Sequence, residues 1–325
     1  MSLEVEHKAA APFWRVFLAV SFYVITSITM ILINKAVLRE TTLPLAFLWS
    51  QLMVAAVILK AMSPLTFIPP LTFALHRSLL PLIAINVLGL TMNTLCLSHM
   101  DAMLYQIARS LVLPITVALT PLLSHRGDSV SARILAACTI ITCGFLIGVF
   151  GDGLQSSRDV SVLGLTFGVL SSLTTALHSF VIKSSFGVYE SKGVFDLVYL
   201  NNAFSALWLL PLLFLEAKQW PAFLTNSDEI RTFLIGALVA GVVGLLINVA
   251  GFLQIRLTSP LTHTVSSAAR GVLQSIACYL LLSESLTQAR ILGIVVTLIG
   301  SCLYSWIKSD EQSKRLHEAK RLPPV

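Results

Sequence analysis

The chain has 325 residues, 56% of them apolar and 12% charged, with a mean hydropathy of +0.84. A soluble domain carries about 25% charge, so a water-soluble globule of this length lacks the polar surface to cover its core. At about 20 residues per crossing, no stretch remains for a soluble catalytic domain, and the net charge of +6 reports topology rather than nucleic-acid binding, because the cations sit at the ends of apolar runs and in the C-terminal tail.

Apolar runs read against their charged and Pro/Gly punctuation place spans at Phe13 to Ile33, Leu45 to Met62, Leu79 to Leu97, Ala102 to Leu123 and Ala132 to Val149. The second five run Val162 to Ile182, Leu197 to Leu215, Phe233 to Leu253, Pro260 to Leu282 and Ile291 to Ile307. Asp101 and Ser131 stand as N-caps of the fourth and fifth spans, and Ser259-Pro260 opens the ninth. Only helices or closed barrels satisfy the backbone in lipid. The expectation is an all-α integral membrane protein with ten transmembrane helices, embedded in the lipid bilayer. The first run exceeds signal-peptide length and has no small-residue cleavage site, so it is expected to stay as an anchor.

With an even count both termini share one side. Of the 22 Lys and Arg, six (Lys35, Arg39, Arg158, Lys218, Arg231 and Arg290) fall on the opposite side, two lie inside spans and 14 fall with the termini. The positive-inside rule therefore places both termini in the cytosol. The fifth and tenth spans open alike, with Ala132-Arg133-Ile134-Leu135 and Ala289-Arg290-Ile291-Leu292, followed by Gly144 and Gly300. Five spans per half is odd, so homologous halves would cross in opposite senses, a 5+5 inverted repeat of the secondary-transporter kind. The chain divides into a first repeat with a short cytosolic N-terminus (1–150), a second repeat (151–307) and a basic cytosolic tail (308–325).

Cys96, Cys138, Cys143, Cys278 and Cys302 all fall inside apolar runs and none forms a CxxC, so neither a disulfide nor a metal site is expected, and no cofactor is implied. DxD, HExxH and clustered carboxylates are absent, which argues against a membrane-embedded enzyme.

Arg109 and Arg270 lie well inside the fourth and ninth spans, at comparable places in the two halves. A charge there costs at least about 2.5 to 3.5 kcal/mol, and the acidic residues fall at span ends or in loops. Two buried cations without buried anions imply an anion from outside. The fork of an arginine suits phosphate, although Arg109 could also snorkel to an interface and Arg270 could bond helix carbonyls. The seventh span carries Tyr199-Leu200-Asn201-Asn202, adjacent amides that suit a nucleobase edge or serve as interhelical glue. Asn34-Lys35 ends the first span, where Lys35 either snorkels or meets a phosphate; Tyr23 and Tyr105 either stack on a ligand or pack. His178 and His263 read as structural, and Gly236, Gly241, Gly244 and Gly251 of the eighth span read as close helix packing.

At these residues the chain resembles the nucleotide-sugar transporters of the drug/metabolite transporter superfamily, most of all the Golgi GDP-fucose transporters. The likeness runs from Ser21 to about Trp306 and includes Thr26-Ser27-Ile28, Asn34-Lys35, Leu95-Cys96-Leu97, Tyr105, Arg109-Ser110, Asn201-Asn202, Leu253 to Arg256, Thr258 to His263, Val265-Ser266 and Ala269-Arg270. In GDP-sugar carriers the seventh helix bears a Phe-Tyr-Asn-Asn motif associated with guanine, which falls here on Tyr199 to Asn202 with Leu200 in place of the second aromatic. Where GDP-mannose carriers have Gly-Ala-Leu-Asn-Lys and fucose carriers Gly-Thr-Ala-Lys, this chain has Ser267-Ala268-Ala269-Arg270. The cation is kept, the glycine is replaced by Ser267, and the missing Asn argues against GDP-mannose.

The resemblance implies exchange of a cytosolic GDP-sugar, GDP-fucose first, for luminal GMP across the Golgi membrane, with the endoplasmic reticulum as a second location. Arg270, with Arg109, Lys35 and Tyr105, would neutralise phosphates while Asn201 and Asn202 read the base. A sugar-phosphate or UDP-sugar antiporter of the same architecture is the alternative. A homodimer stays open, since nothing in the residues decides it.

Overall fold

The structure, a computed structural model, describes residues 13–62, 73–123, 130–151, 161–189, 194–257 and 260–321. These form helices α1 (Phe13–Glu40), α2 (Pro44–Ala61), α3 (Phe73–His99), α4 (Ala102–Arg109), α5 (Val112–Leu123) and α6 (Ala132–Phe150). The second half supplies α7 (Val162–Tyr189), α8 (Val194–Leu209), α9 (Trp220–Thr225), α10 (Ser227–Leu257), α11 (Pro260–Leu282) and α12 (Gln288–Arg321). Among the described residues there is no strand. Eight helical segments are long and apolar enough to cross a membrane, and Val162–His178 and Ala269–Leu282 are shorter apolar stretches.

Two of the expected spans are not continuous α-helix. The fourth breaks at Ser110-Leu111 into α4 and α5, because Pro114 lacks the N–H that would reach Ser110 and its ring crowds that carbonyl. The turn tightens instead, with the Ser110 amide donating to Ile107 and the Leu111 amide to Ala108. The seventh span leaves α geometry after Leu209, just before Pro211, and Leu210–Glu216 continues as a 3₁₀ helix. α12 runs unbroken past Ile307 into the basic tail.

The main helix pairs join the two halves of the sequence: α6 with α12, α3 with α7, α1 with α10, and α2 with α8 and α10. Small residues bring α6 and α12 to backbone contact. A Cβ on Gly293 would lie 2.6 Å from Gly148 Cα, and one on Gly144 would lie 2.7 Å from the Thr297 amide nitrogen. On α10, Gly236 faces Val37 and Gly241 faces Val54, the close packing expected of that span, whereas a Cβ on Gly244 would meet Met30 at an ordinary 3.6 Å. Gly293→Ala is therefore expected to cost about 1–3 kcal/mol through overpacking and to lower the thermal midpoint in detergent, while Gly244→Ala leaves it unchanged.

One end of the bundle collects the 40–44, 99–102, 216–229 and 282–290 connections, and polar contacts tie them together. Glu284 accepts from the Ala102 and Met103 amides at 2.8 and 3.0 Å, and Glu216 accepts from the Leu45 and Ala46 amides at 2.6 and 3.0 Å. Each buried carboxylate thus neutralises a helix N-terminus belonging to the other half. Glu229 takes the Thr42 amide and hydroxyl. Asp101, expected to cap α4, makes no such bond; Glu284 holds that position, and Asp101 pairs with Arg290 at 3.0 Å. Ser131 does cap α6, accepting from the Ile134 amide, and Ser259 lies outside the described residues. Ser283, at φ 52°, takes the left-handed turn that ends α11 just before Glu284.

Candidate functional site

Between α1, α2, α3, α4, α8, α10 and α11 lies a cavity of about 300 Å³. Among its lining residues, Arg109 and Arg270 carry the charge and no carboxylate is present. Arg270 is 8% exposed. Its Nη1 donates to Ser27 Oγ at 3.2 Å and to Gln274 Oε1 at 3.5 Å, while its buried Nε has no partner. A desolvated guanidinium with neutral hydrogen-bond partners and a free donor is prepared for an anion from outside.

Arg109 ends α4, one turn after Tyr105, and its Nη1 donates to the Tyr105 hydroxyl at 2.8 Å. That hydroxyl donates in turn to Asn93 Oδ1, so an α3 amide aims the arginine. Arg109 lines the cavity, as does Tyr23. α4 itself is held from both sides, by Gln274 Nε2 donating to the Ala102 carbonyl and Ser172 Oγ donating to the Ala108 carbonyl.

Asn201 and Asn202 line the same cavity from α8, and the buried Asn201 Oδ1 and Asn202 Nδ2 have no hydrogen-bond partner. Interhelical glue would satisfy those atoms. Asn34 also lines the cavity and accepts from Gln51 Nε2 at 3.2 Å.

Other expected site residues lie elsewhere. Lys35 lines no described cavity; it is 5% exposed, and its ammonium donates to the Leu97 and Met100 carbonyls at 2.8 and 2.7 Å, capping the C-terminus of α3. Tyr199 packs into an apolar cluster with Leu200, Phe204 and residues of α2 and α3. Ser266 accepts from Gln254 on α10. The side chains of Ser267 and His263 lie outside the described residues; His178 is half-buried on α7.

Sequence reading missed Asn86 and Asn93, which line the cavity from α3. Their spacing of seven puts them on one helix face, a signal that could have exposed them. It also missed a second cavity of about 310 Å³, between α1, the α4–α5 break, α11 and α12. Tyr23, Arg109 and Arg270 line both cavities. Two adjoining cavities that share a pair of arginines can hold a solute with an anionic middle and a polar group at each end.

The Triose-phosphate Transporter family matches residues 14–305. The chain belongs to that family. It is a multi-pass membrane carrier rather than an enzyme. Among curated relatives it is similar to the GDP-fucose transporter 1 of Mus musculus, 30% identical over 315 residues covering 92% of this chain and 85% of that one. The Golgi GDP-fucose transporter of Drosophila melanogaster is 30% identical over 328 residues, covering 97% and 96%. The UDP-xylose transporter 2 of Arabidopsis thaliana is 24% identical over 321 residues, covering 94% and 86%. A solved crystal structure superposes with a TM-score of 0.56 at 13% identity, over 90% of this chain and 96% of its own, a likeness of fold alone.

Proposed function

We propose that the chain exchanges a cytosolic GDP-sugar, GDP-fucose first, for luminal GMP by alternating access in the Golgi membrane. The carrying observation is one cavity in which Arg270 and the unpartnered amide atoms of Asn201 and Asn202 converge without a carboxylate. The arginines take phosphate and the amides, one acceptor and one donor, take the edge of a base. The choice of guanine and fucose rests on the likeness to GDP-fucose transporters of mouse and fly.

Ten spans in a 5+5 inverted repeat, with both termini cytosolic, complete the reading. Exchanging the halves turns the α3/α7 pairing into α1/α10 and returns α6/α12 to itself, which supports the repeat. Strict exchange follows from electrostatics: an empty carrier must close over two uncompensated cations, while a loaded one closes over neutralised ones.

The test is uptake of labelled GDP-fucose, GDP-mannose, UDP-galactose and triose phosphate into liposomes holding the purified protein. Uptake of GDP-sugars that requires GMP inside, with competition by GMP and not UMP, supports the reading; equal uptake into nucleotide-free vesicles overturns exchange. A UDP-sugar or sugar-phosphate antiporter is the second reading, favoured by the UDP-xylose relative and the family's own name. Equal competition by UMP or triose phosphate selects it. Asn202→Ala is expected to lower the preference for GMP over UMP by about fivefold to tenfold, the loss of one neutral hydrogen bond.

A further inference from the structure

We propose that the second cavity, between the α4–α5 break and α12, is the sugar subsite, lined by Gln106, Ser110, Thr297 and Ser301. This rests on the GDP-sugar reading above and assigns the part of the solute that the base and phosphate contacts leave over. The cavity adjoins the first through Tyr23, Arg109 and Arg270, so a diphosphate on the arginines directs one end of the solute to each side.

The hydrogen-bond direction of its lining decides the chemistry. Ser110 Oγ donates to the Ile107 carbonyl at 2.7 Å, Thr297 Oγ1 to Ile294 at 2.8 Å and Ser301 Oγ to Thr297 at 2.8 Å. Each hydroxyl has spent its proton on its own chain and presents lone pairs. Gln106 Oε1, buried and without a partner, is a fourth acceptor. Its amide nitrogen lies against Gly271, where a Cβ would come within 2.7 Å of it, so a larger residue at 271 would displace the amide. Away from Arg109 and Arg270, which hold the phosphate side, these acceptors suit a group rich in O–H donors, which describes a hexose.

α12 therefore becomes part of the specificity apparatus. Its register is fixed by contact with α6, since Thr297 also packs its methyl group against Gly144. Thr297→Val keeps that methyl and removes only the hydroxyl.

The experiment compares Gln106→Leu and the double variant Thr297→Val/Ser301→Ala with the wild type in proteoliposomes, measuring apparent KM for GDP-fucose and for GMP in GMP/GMP exchange. The expected result is a KM for GDP-fucose raised about tenfold, with that for GMP, which carries no hexose, moved less than about twofold. Parallel losses for both solutes in the hydroxyl double variant, or no change in either, overturn the subsite. If Gln106→Leu loses both through misfolding, the double variant decides. A wild type that ignores GDP-fucose but carries another sugar conjugate sinks the GDP-fucose reading, and the subsite is then scored on that conjugate. A wild type that carries only phosphates without a hexose sinks the subsite.

Discussion

Arg270→Ala is expected to abolish exchange of every phosphorylated solute while leaving a folded protein. Truncating one member of a buried, hydrogen-bonded charge pair costs about 2–5 kcal/mol, which is roughly thirtyfold to several thousandfold in affinity. The empty protein should respond in the opposite direction. Its Arg270 is 8% exposed, faces no carboxylate and keeps an unpartnered Nε. An apolar side chain of similar length removes a desolvation cost there, so Arg270→Met should melt at a higher temperature than wild type in detergent and gain nothing from added GMP. The wild type should gain several degrees with GMP, as ligand binding to the folded state requires. An Arg270→Met protein that melts lower than wild type and is still stabilised by GMP would show that the guanidinium serves packing rather than the anion.

The second large effect is at Glu284. Its side chain holds two α4 amides and Arg39, the last at 3.2 Å. Arg39 keeps 35% of its side-chain surface exposed, so that ion pair contributes little. The two buried amides dominate, at about 1–3 kcal/mol each when left without an acceptor. Glu284→Ala should therefore loosen the end of the bundle that holds α4, whereas Arg39→Gln should be nearly silent. In a cysteine-free background, Asn34→Cys reports it: Glu284→Ala should raise its labelling by an impermeant maleimide applied opposite the termini, and lower the thermal midpoint. Unchanged labelling and midpoint in Glu284→Ala would dismiss the clasp.

Residues whose chemistry conflicts with lipid were visible in the letters. Arg109, Arg270, Asn201 and Asn202 are costly inside apolar spans whatever surrounds them, and the fold gathers all four around one cavity. Lys35 carries the same conflict, but its solution depends on carbonyls 62 and 65 residues away, which no local pattern announces. The carboxylates of Glu216 and Glu284 likewise look like ordinary span-end charges, since the amides they cap belong to the other half. Tyr199 was drawn in by its neighbours; at 100° per residue it stands 200° around α8 from Asn201, and it faces an apolar cluster. Serine and threonine give no sign of facing a cavity, because in apolar helices they habitually bond their own backbone. That is why Thr297 and Ser301 stay silent and Ser110 enters only through the Arg109-Ser110 likeness.

The clasp also bears on how cleanly the carrier can work. Its acceptors, Glu216, Glu229 and Glu284, all come after residue 151 and the backbone amides they hold all come before it. Movement between the halves must release both amides of Glu216 and of Glu284 together, since the two oxygens of each are engaged side by side. Such a seam favours yielding as a unit over unzipping, because a half-released carboxylate leaves a buried amide without an acceptor at about 1–3 kcal/mol.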